Sequence, residues 1–211
     1  MFAPFNSASV FYFGCLMVSS LSTAPFSSFM HSQSSGLQSS FFSDRAFLPS
    51  ESQELWQIKR GLVRTYTWDS NGNITTLGIW GTGDIVGQSL SNVTPYMIQT
   101  LGTVEATSQV SNQWNNPEAI LSHAQQLTIL LKIISIKRAD DRLLSLLQWL
   151  AQRFGYITPT GTCTTLPITH QELAETANVT RVTATRLIGD LEQQGVLSWS
   201  RRRQFVLLKP S

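Results

Sequence analysis

Hydrophobic and polar residues follow two different periods along this chain, and the change of period divides it into regions. Between residues 47 and 114, short alternating or β-branched runs are typical of strands, and turns at 61, 69–73 and 81–83 separate them. The predicted strands are residues 54–60, 62–68, 74–80, 96–101 and 103–110. Several short strands at this spacing predict a small β-roll or barrel.

Helical spacing begins at Asn116, a suitable cap for a helix whose first position is Pro117. One stripe has the 3-4 spacing of a two-helix coiled coil, and it contains Leu121, Ala124, Leu127 or Thr128, Leu131, Ile134 or Ser135, and Arg138. A second stripe contains Ile129, Leu130, Ile133 and Ile136. We predict that one stripe of the helix over residues 115–138 packs on the β-roll and the other on a partner chain. The alternative is a helix buried within one monomer.

A polar stretch at residues 139–142 then leads into a further predicted helix, residues 143–154, which ends at Gly155. Its leucines at 143, 144, 147 and 150 are expected to pack beneath the elements that follow. Residues 155–167 are rich in Thr, Gly and Pro, and we predict a loop there.

Two short helices joined by a tight break are predicted between residues 168 and 197. Thr169 followed by Glu172 forms a capping box, so the first helix is expected to begin at His170. Asn178 tolerates the left-handed conformation needed to turn the chain. Thr180 is suited to cap a second helix that runs to about residue 194. This layout is typical of a DNA-binding helix-turn-helix.

The second of these helices carries the candidate DNA contacts. Ala184, Leu187, Ile188 and Leu191 are predicted to face inward, which leaves Arg181, Thr183, Thr185 and Arg186 outside. Residues 196–200 and 204–208 are predicted strands of a hairpin wing with Arg201, Arg202 and Arg203 at its tip. Arginine at the start of a recognition helix can contact guanine, and cations at a wing tip suit phosphates. The alternative is that these arginines form an ordinary solvated face.

Composition limits the remaining possibilities. The net charge is only +2, so affinity for nucleic acid must come from a local patch. The two cysteines, Cys15 and Cys163, provide neither a disulfide framework nor a four-cysteine cluster site. Residues 1–43 contain no charged side chain, and nine of the eleven phenylalanines lie in the first 50 residues. We expect residues 1–46 to be a disordered leader rich in Ser and Phe, or the product of an upstream start codon, and we assign it no function.

Residues 181–191, RVTATRLIGDL, resemble the helix-turn-helix of the Crp/Fnr transcription regulators, in particular the cyanobacterial nitrogen-control (NtcA-like) branch. The resemblance implies a homodimer that reads palindromic double-stranded DNA. It also implies base contacts by Arg181 and Arg186, and positions near the DNA backbone for Thr180 and Thr183. Thr169 completes this DNA-binding set together with the wing arginines.

Val182 stands where many members of that family carry an acidic residue. This feature of the nitrogen-control branch suggests half-sites of the GTA type rather than the TGTGA type. The resemblance further implies a cytoplasmic protein that has RNA polymerase as a candidate partner. No membrane association and no cofactor are expected.

Residues 62–66, LVRTY, and 83–88, GDIVGQ, resemble the cyclic-nucleotide-binding-type β-roll that precedes the helix-turn-helix in Crp/Fnr proteins. In that family the second segment, with Gly83, Gly87 and Gln88 here, borders an effector pocket. Relatives that bind a cyclic nucleotide supply a glutamate where Gln88 stands and an arginine a few residues later. This chain has no Lys or Arg between residues 88 and 131, so cAMP binding is not expected.

Nitrogen-control regulators hold 2-oxoglutarate partly through two residues of the long helix, and an ungapped comparison places His123 and Thr128 at those positions. Two interpretations stay open: a pocket for 2-oxoglutarate, and a pocket that has lost its ligand. Patterns and resemblance together predict an α+β chain. Its parts are a cyclic-nucleotide-binding-like β-roll (47–114), a dimerisation helix (115–138) and a winged helix-turn-helix (139–211).

Two other classes of function are weighed against a regulator. A cupin-like enzyme needs a cluster of histidines and acids pointing into the barrel, but the only histidines are His31, His123 and His170, all outside the predicted strands. We therefore predict no catalytic residue, no metal site and no enzymatic activity. A dimeric winged-helix module that contacts another protein, without binding specific DNA, is the second alternative.

Overall fold

The computed structural model describes residues 39–50, 53–200 and 204–209. Predictions made for residues 1–38 and for Arg201, Arg202 and Arg203 lie outside this range. Within it the chain has the predicted α+β class, with strands first and helices later. The first sheet contains β1 (Ser39–Phe42), β2 (Phe47–Leu48), β3 (Glu54–Trp68), β4 (Ile74–Trp80), β5 (Ile85–Val86) and β6 (Met97–Val110).

The β-roll is antiparallel, and its two long strands β3 and β6 pair along most of their length. β4 pairs with one side of β3, and β1 and β2 both pair with β6. β1 corrects the sequence prediction, because it lies in the segment expected to be a disordered leader. Phe42 packs edge-on against Trp56 at 5.5 Å between ring centroids, so the end of that segment belongs to the β-roll core.

A second correction concerns Gly61, which was expected to separate two strands. β3 instead runs through it with shifts in register, in the manner of a β-bulge. Gly61 has φ +91°, and a Cβ at this position would lie 2.3 Å from the carbonyl oxygen of Thr103. The glycine therefore bends β3 and lets it approach β6, and it does not end the strand.

Of the five α-helices in the described residues, the first lies within the β-roll, between β5 and β6, and the other four follow it. The five helices are α1 (Gln88–Ser91), α2 (Pro117–Ile134), α3 (Ala139–Phe154), α4 (His170–Ala177) and α5 (Arg181–Gln193). Asn116 caps α2 as predicted, accepting a hydrogen bond from the N–H of Ala119 at 3.1 Å. The predicted continuation of α2 to Arg138 is wrong: the helix ends at Ile134, and Ser135 is its C-cap, with both its N–H and its hydroxyl bonded to the Leu131 carbonyl.

The predicted loop at residues 155–167 also contains strands, β7 (Gly155–Thr158) and β8 (Gly161–Thr164). Together with β9 (Leu197–Trp199) and β10 (Phe205–Leu208) they form a second antiparallel sheet in the order β7-β8-β10-β9. The predicted wing hairpin is thus confirmed at β9 and β10, where the Ser200 N–H donates to the Gln204 carbonyl at 2.8 Å. It is one half of a larger sheet.

One hydrophobic core joins the β-roll to the C-terminal head, which we define as residues 139–209. Leu143, Leu146, Leu147 and Leu150 on one face of α3 are fully buried. They share a cluster with Ile79 and Leu101 of the β-roll, Leu130 and Ile133 of α2, and Leu173, Ala177, Leu187 and Ile188 of α4 and α5. The head is therefore packed onto the β-roll.

Replacing Gly61 by alanine tests whether the close approach of β3 to β6 requires a glycine at this position of positive φ. We expect Gly61→Ala to lower the free energy of unfolding by about 3 kcal/mol or more, since left-handed strain and a clash with backbone act together. Gly72 is the matched control: its φ is +80°, but a Cβ there meets nothing within 4 Å. Gly72→Ala should cost about 1 kcal/mol, from strain alone. Urea unfolding of both variants measures the difference, and equal losses would contradict this interpretation.

Candidate nucleic-acid interface

The capping box at the start of α4 is present as the sequence predicted. The Thr169 hydroxyl accepts from the Glu172 N–H at 3.2 Å, and the Glu172 carboxylate accepts from the Thr169 N–H at 2.8 Å. The same carboxylate also accepts from the Thr169 hydroxyl at 2.9 Å. Thr169 is half-buried, so its candidate role at phosphate competes with its role in the cap.

The turn between α4 and α5 is made by Asn178 in the left-handed conformation, with φ 51° and ψ 55°. Arg142 of α3 fixes this turn from below: its guanidinium donates to the carbonyls of Ala177 at 2.7 Å and Asn178 at 3.3 Å. The angle between the two helices is therefore held by α3 as well as by the local sequence.

Thr180 caps α5, accepting from the Thr183 N–H at 3.1 Å. Ala184, Leu187 and Ile188 are buried beneath the helix, as predicted. The side chains turned to solvent, which we call the reading face, are Arg181, Val182, Thr185 and Arg186. Thr183, which belongs to the predicted outer set, is half-buried, and its hydroxyl lies 2.9 Å from that of Thr180.

Val182 is a candidate contact that the predicted set did not include. It is 79% exposed, and it lies in the first turn of α5 beside Arg181. The thymine methyl group is an apolar feature of the major groove that a valine at this end of the helix can contact. The helical spacing could have predicted this exposure, since Ala184, Leu187 and Ile188 lie on the opposite, buried face.

Neighbouring side chains orient the reading face. Arg186 forms an ion pair with Asp190 one turn later, at 2.9 Å, and both remain largely exposed. His170 at the start of α4 lies 3.1 Å from the Thr185 hydroxyl and edge-on to Trp199. Partial burial, followed by the nearby Arg181 cation, lowers the pKa of His170. His170 is thus a second neighbour of the interface that sequence reasoning did not select.

Ala119, His123, Leu130 and Ile133 form the buried inner face of α2. His123 contacts Trp80 and Ile85 of the β-roll, and Leu130 and Ile133 belong to the core around α3. Its outer stripe, which we define as Ile120, Leu121, Ala124, Thr128 and Leu131, is exposed. Leu121 and Leu131 are 59% and 61% exposed. A helix buried entirely within one monomer is therefore the wrong interpretation of α2.

The candidate effector residues are not brought together within one chain. His123 is buried, with its ring stacked on Trp80 at 4.1 Å between centroids and its Nδ1 at 3.0 Å from the Ile85 carbonyl. Thr128 is exposed on the outer stripe, and its hydroxyl donates to the Ala124 carbonyl. Because they are five positions apart on the helix, they face different directions.

The remaining candidate pocket residues, Gly83, Gly87 and Gln88, lie between the end of β4 and the start of α1. Gly83 has φ +92°, and its N–H donates to the Ile58 carbonyl at 2.8 Å. Gly87 lies so close to β3 that a Cβ would approach the Glu54 carbonyl to 2.7 Å. The Gln88 amide donates to the Val93 carbonyl at 3.3 Å and the Thr94 hydroxyl at 2.9 Å. The two glycines shape the segment between β4 and α1, and the Gln88 amide is already hydrogen-bonded to residues that follow α1.

Asp84, in the same segment, is bonded to α3, and its side chain is largely shielded from solvent. Its carboxylate accepts from the Gly81 N–H at 2.6 Å and pairs with Arg153 near the end of α3. Burial raises the pKa of Asp84, and the hydrogen bond from Gly81 and the Arg153 cation act in the opposite direction. Sequence reasoning missed this pair because no local pattern links residues 69 positions apart.

Comparisons with known proteins agree with this architecture. The family model described as Crp-like helix-turn-helix domain matches residues 141–211. Regulatory protein CysR of Synechococcus elongatus is 37% identical over 154 residues, covering 72% of this chain and 75% of the relative. The global nitrogen regulator of the same organism is 31% identical over 86 residues, which are 41% of this chain and 39% of that protein.

Solved structures show the same fold. A CRP-family transcriptional regulator from Thermus thermophilus superposes with a TM-score of 0.67 at 18% identity, covering 81% of this chain and 92% of that one. A CooA mutant from Carboxydothermus hydrogenoformans gives 0.64 at 23% identity, with 81% and 83% covered. None of the helices in the described part of the chain has the length and apolar character needed to span a bilayer. Among the same residues, no group of three or more His, Cys, Asp or Glu side chains is arranged to hold a metal.

The burial of His123 predicts a dependence of stability on pH. Desolvation lowers the pKa of His123, so the folded chain binds this proton less readily than the unfolded chain, whose histidine pKa is about 6.5. His123 should therefore contribute a fall in the free energy of unfolding as pH is lowered through about 6.5, with a slope of at most about 1.4 kcal/mol per pH unit from this one group.

His123→Gln should flatten this dependence between about pH 7.5 and 5.5, whatever its effect on absolute stability. Urea unfolding at several pH values measures both slopes. The titration of His170 contributes the same slope to both proteins, so it cancels when the two slopes are compared. Identical slopes in the two proteins would show that His123 is not held neutral.

Proposed function

Because the chain belongs to the Crp/Fnr family of transcriptional regulators, we propose that it binds palindromic double-stranded DNA as a homodimer, with half-sites of the GTA type. The observation that supports this most directly is the reading face of α5. A capped helix presents two arginines, a valine and a threonine to solvent at its N-terminal end, which is the end that enters the major groove in this class of protein.

Each side chain of the reading face has a chemistry that suits one feature of DNA. Arg181 and Arg186 can donate two hydrogen bonds each to guanine O6 and N7. Val182 offers an apolar surface to a thymine methyl group, and the acidic alternative at that position would accept from cytosine. Thr169, Thr180 and the wing arginines Arg201, Arg202 and Arg203 are proposed to contact phosphates.

The outer stripe of α2 supplies the dimer contact in this proposal. Its leucines and isoleucine are exposed in the single chain, and two copies of the stripe would bury them against each other. Pairing two heads along α2 would place the two α5 helices about 34 Å apart, one turn of DNA. Thr128 then lies at the contact between the chains and not beside His123 of its own chain.

We further propose that the β-roll does not bind cAMP. The segment from residue 88 to residue 131 contains no Lys or Arg, and desolvation lowers the pKa of the buried His123, which disfavours its charged form. A phosphate in this pocket would find no cation in that segment, and the nearby Arg153 guanidinium is already paired with Asp84. A site for 2-oxoglutarate faces the same deficit, so binding of this dicarboxylate is tested directly in the selection experiment below.

The chain is a transcriptional regulator and not an enzyme, since the relatives it matches are regulators. We propose that it acts in the cytoplasm and that RNA polymerase is its further partner at the promoter. A winged-helix module that contacts another protein without reading DNA is the competing function, and the same selection separates the two.

Selection of bound duplexes from a random pool tests the reading role of Arg181. The wild-type protein should recover a palindrome, and Arg181→Ala should lose discrimination at one base pair of each half-site by about 1–3 kcal/mol. Arg60→Ala is the control, an exposed arginine on β3 away from the reading face. Selections run with and without 2-oxoglutarate show whether this effector matters. Recovery of no sequence by the wild type would favour the protein-contact function.

A charge in the outer stripe tests the dimer. Leu131→Glu should leave the fold intact because the side chain is exposed, yet it should weaken dimerisation at least about tenfold by placing a carboxylate in an apolar contact. Gln125→Glu introduces the same charge on α2 outside the stripe and should have little effect. Analytical ultracentrifugation measures both, and a fully dimeric Leu131→Glu protein would refute this arrangement.

A further inference from the structure

Two arginines from the β-roll meet two glutamates of α4. Arg45 lies in the turn between β1 and β2, and Arg64 lies on β3. Glu172 and Glu175 are one helical turn apart, so they lie on the same side of α4. Arg45 pairs with Glu172, and Arg64 pairs with Glu175 at 2.5 Å. These two pairs join the β-roll to the first helix of the helix-turn-helix.

The Arg64 pair is buried, since Arg64 is only 4% exposed. Its guanidinium lies 4.7 Å from the centre of the Tyr66 ring, and its Nη2 donates to the Gln99 side chain at 3.5 Å. On the other side, Glu175 accepts from the Gln171 amide at 2.8 Å. A buried ion pair of this kind contributes little net stability, but separating its partners leaves a buried charge without compensation.

The Arg45 contact depends on an unusual backbone conformation. Arg45 has φ 60°, a left-handed value that is unfavourable for a residue with a side chain. The turn persists because β1 and β2 on either side of it both pair with β6. Arg45 also donates to the Pro167 carbonyl at 2.9 Å, just before α4. Its partner Glu172 is the carboxylate that caps α4, so one contact anchors both the loop and the helix.

These contacts act together with the shared core around α3 in setting the direction of the reading face. α4 packs on α5 through Leu173, Ala177, Leu187 and Ile188, so whatever holds α4 also holds α5. The β-roll in turn carries the inner face of α2. A rigid path therefore runs from the outer stripe of α2, through the β-roll and the two ion pairs, to the reading face.

We propose that Arg45 and Arg64 are positioning residues for DNA recognition, which set the separation of the two reading faces through Glu172 and Glu175. The inference rests on the proposed homodimer and adds a role for residues outside the helix-turn-helix. Weakening either ion pair would leave each head able to bind a half-site. It would weaken simultaneous binding of two half-sites at one fixed spacing.

Binding of Arg45→Gln and Arg64→Gln proteins to three duplexes tests the proposal. The duplexes carry the selected palindrome, the palindrome with one base pair added between the half-sites, and one half-site alone. We expect each variant to bind the palindrome about tenfold more weakly, to lose most of the wild-type preference for the original spacing, and to bind the half-site within about twofold of wild type. Arg60→Gln, on the same strand as Arg64 and exposed, should match wild type on all three duplexes.

Several outcomes decide between the possibilities. Equal losses on the palindrome and the half-site would show a general structural role and overturn the proposal, as would unchanged spacing preference in folded variants. If Arg64→Gln fails to fold, Arg45→Gln decides alone, because its side chain is 27% exposed and its loss is more easily accommodated. A swapped pair, Arg64→Glu with Glu175→Arg, should recover part of the spacing preference. If the wild type itself does not prefer the palindrome, the proposed function fails, and this inference fails with it.

Discussion

The leucine face of α3 is the contact on which the rest of the structure depends. Four of its leucines are fully buried, and the core around them draws residues from the β-roll, from α2 and from both helices of the helix-turn-helix. Burial of one leucine side chain contributes roughly 1.5–3 kcal/mol, so this shared core is the main force that holds the head in place. Arg142 and Arg153 extend from the same helix to the α4–α5 turn and to Asp84. The direction of the reading face is thus a property of the whole chain.

Local signals in the sequence predicted the helices of the candidate interface well. The cap at Thr169, the turn at Asn178 and the cap at Thr180 depend on residues three or four positions apart, and all three are present. What the sequence did not predict depends on distant partners. β1 exists because β6 pairs with it, and β8 exists because β10 pairs with it. The pairing of Arg45 with Glu172 joins residues 127 positions apart, for which no local pattern exists.

Two of the candidate pocket residues, Gly87 and His123, pack tightly within the β-roll and against its strands. His123 links α2 to Trp80 of β4, and Arg153 lies near the same Trp80 ring at 5.7 Å. This arrangement joins α2, β4 and α3 through side chains that pack directly on one another. It provides a physical route between the candidate dimer contact and the head, whether or not a small molecule takes part.

Hydroxyl-radical footprinting on a duplex chosen by binding is the most direct measurement of the central claim, which is that two chains present two reading faces to one side of the DNA. The account predicts two protected patches of equal depth, related by two-fold symmetry and centred about 34 Å apart. A single protected patch, or uniform protection without symmetry, would contradict it.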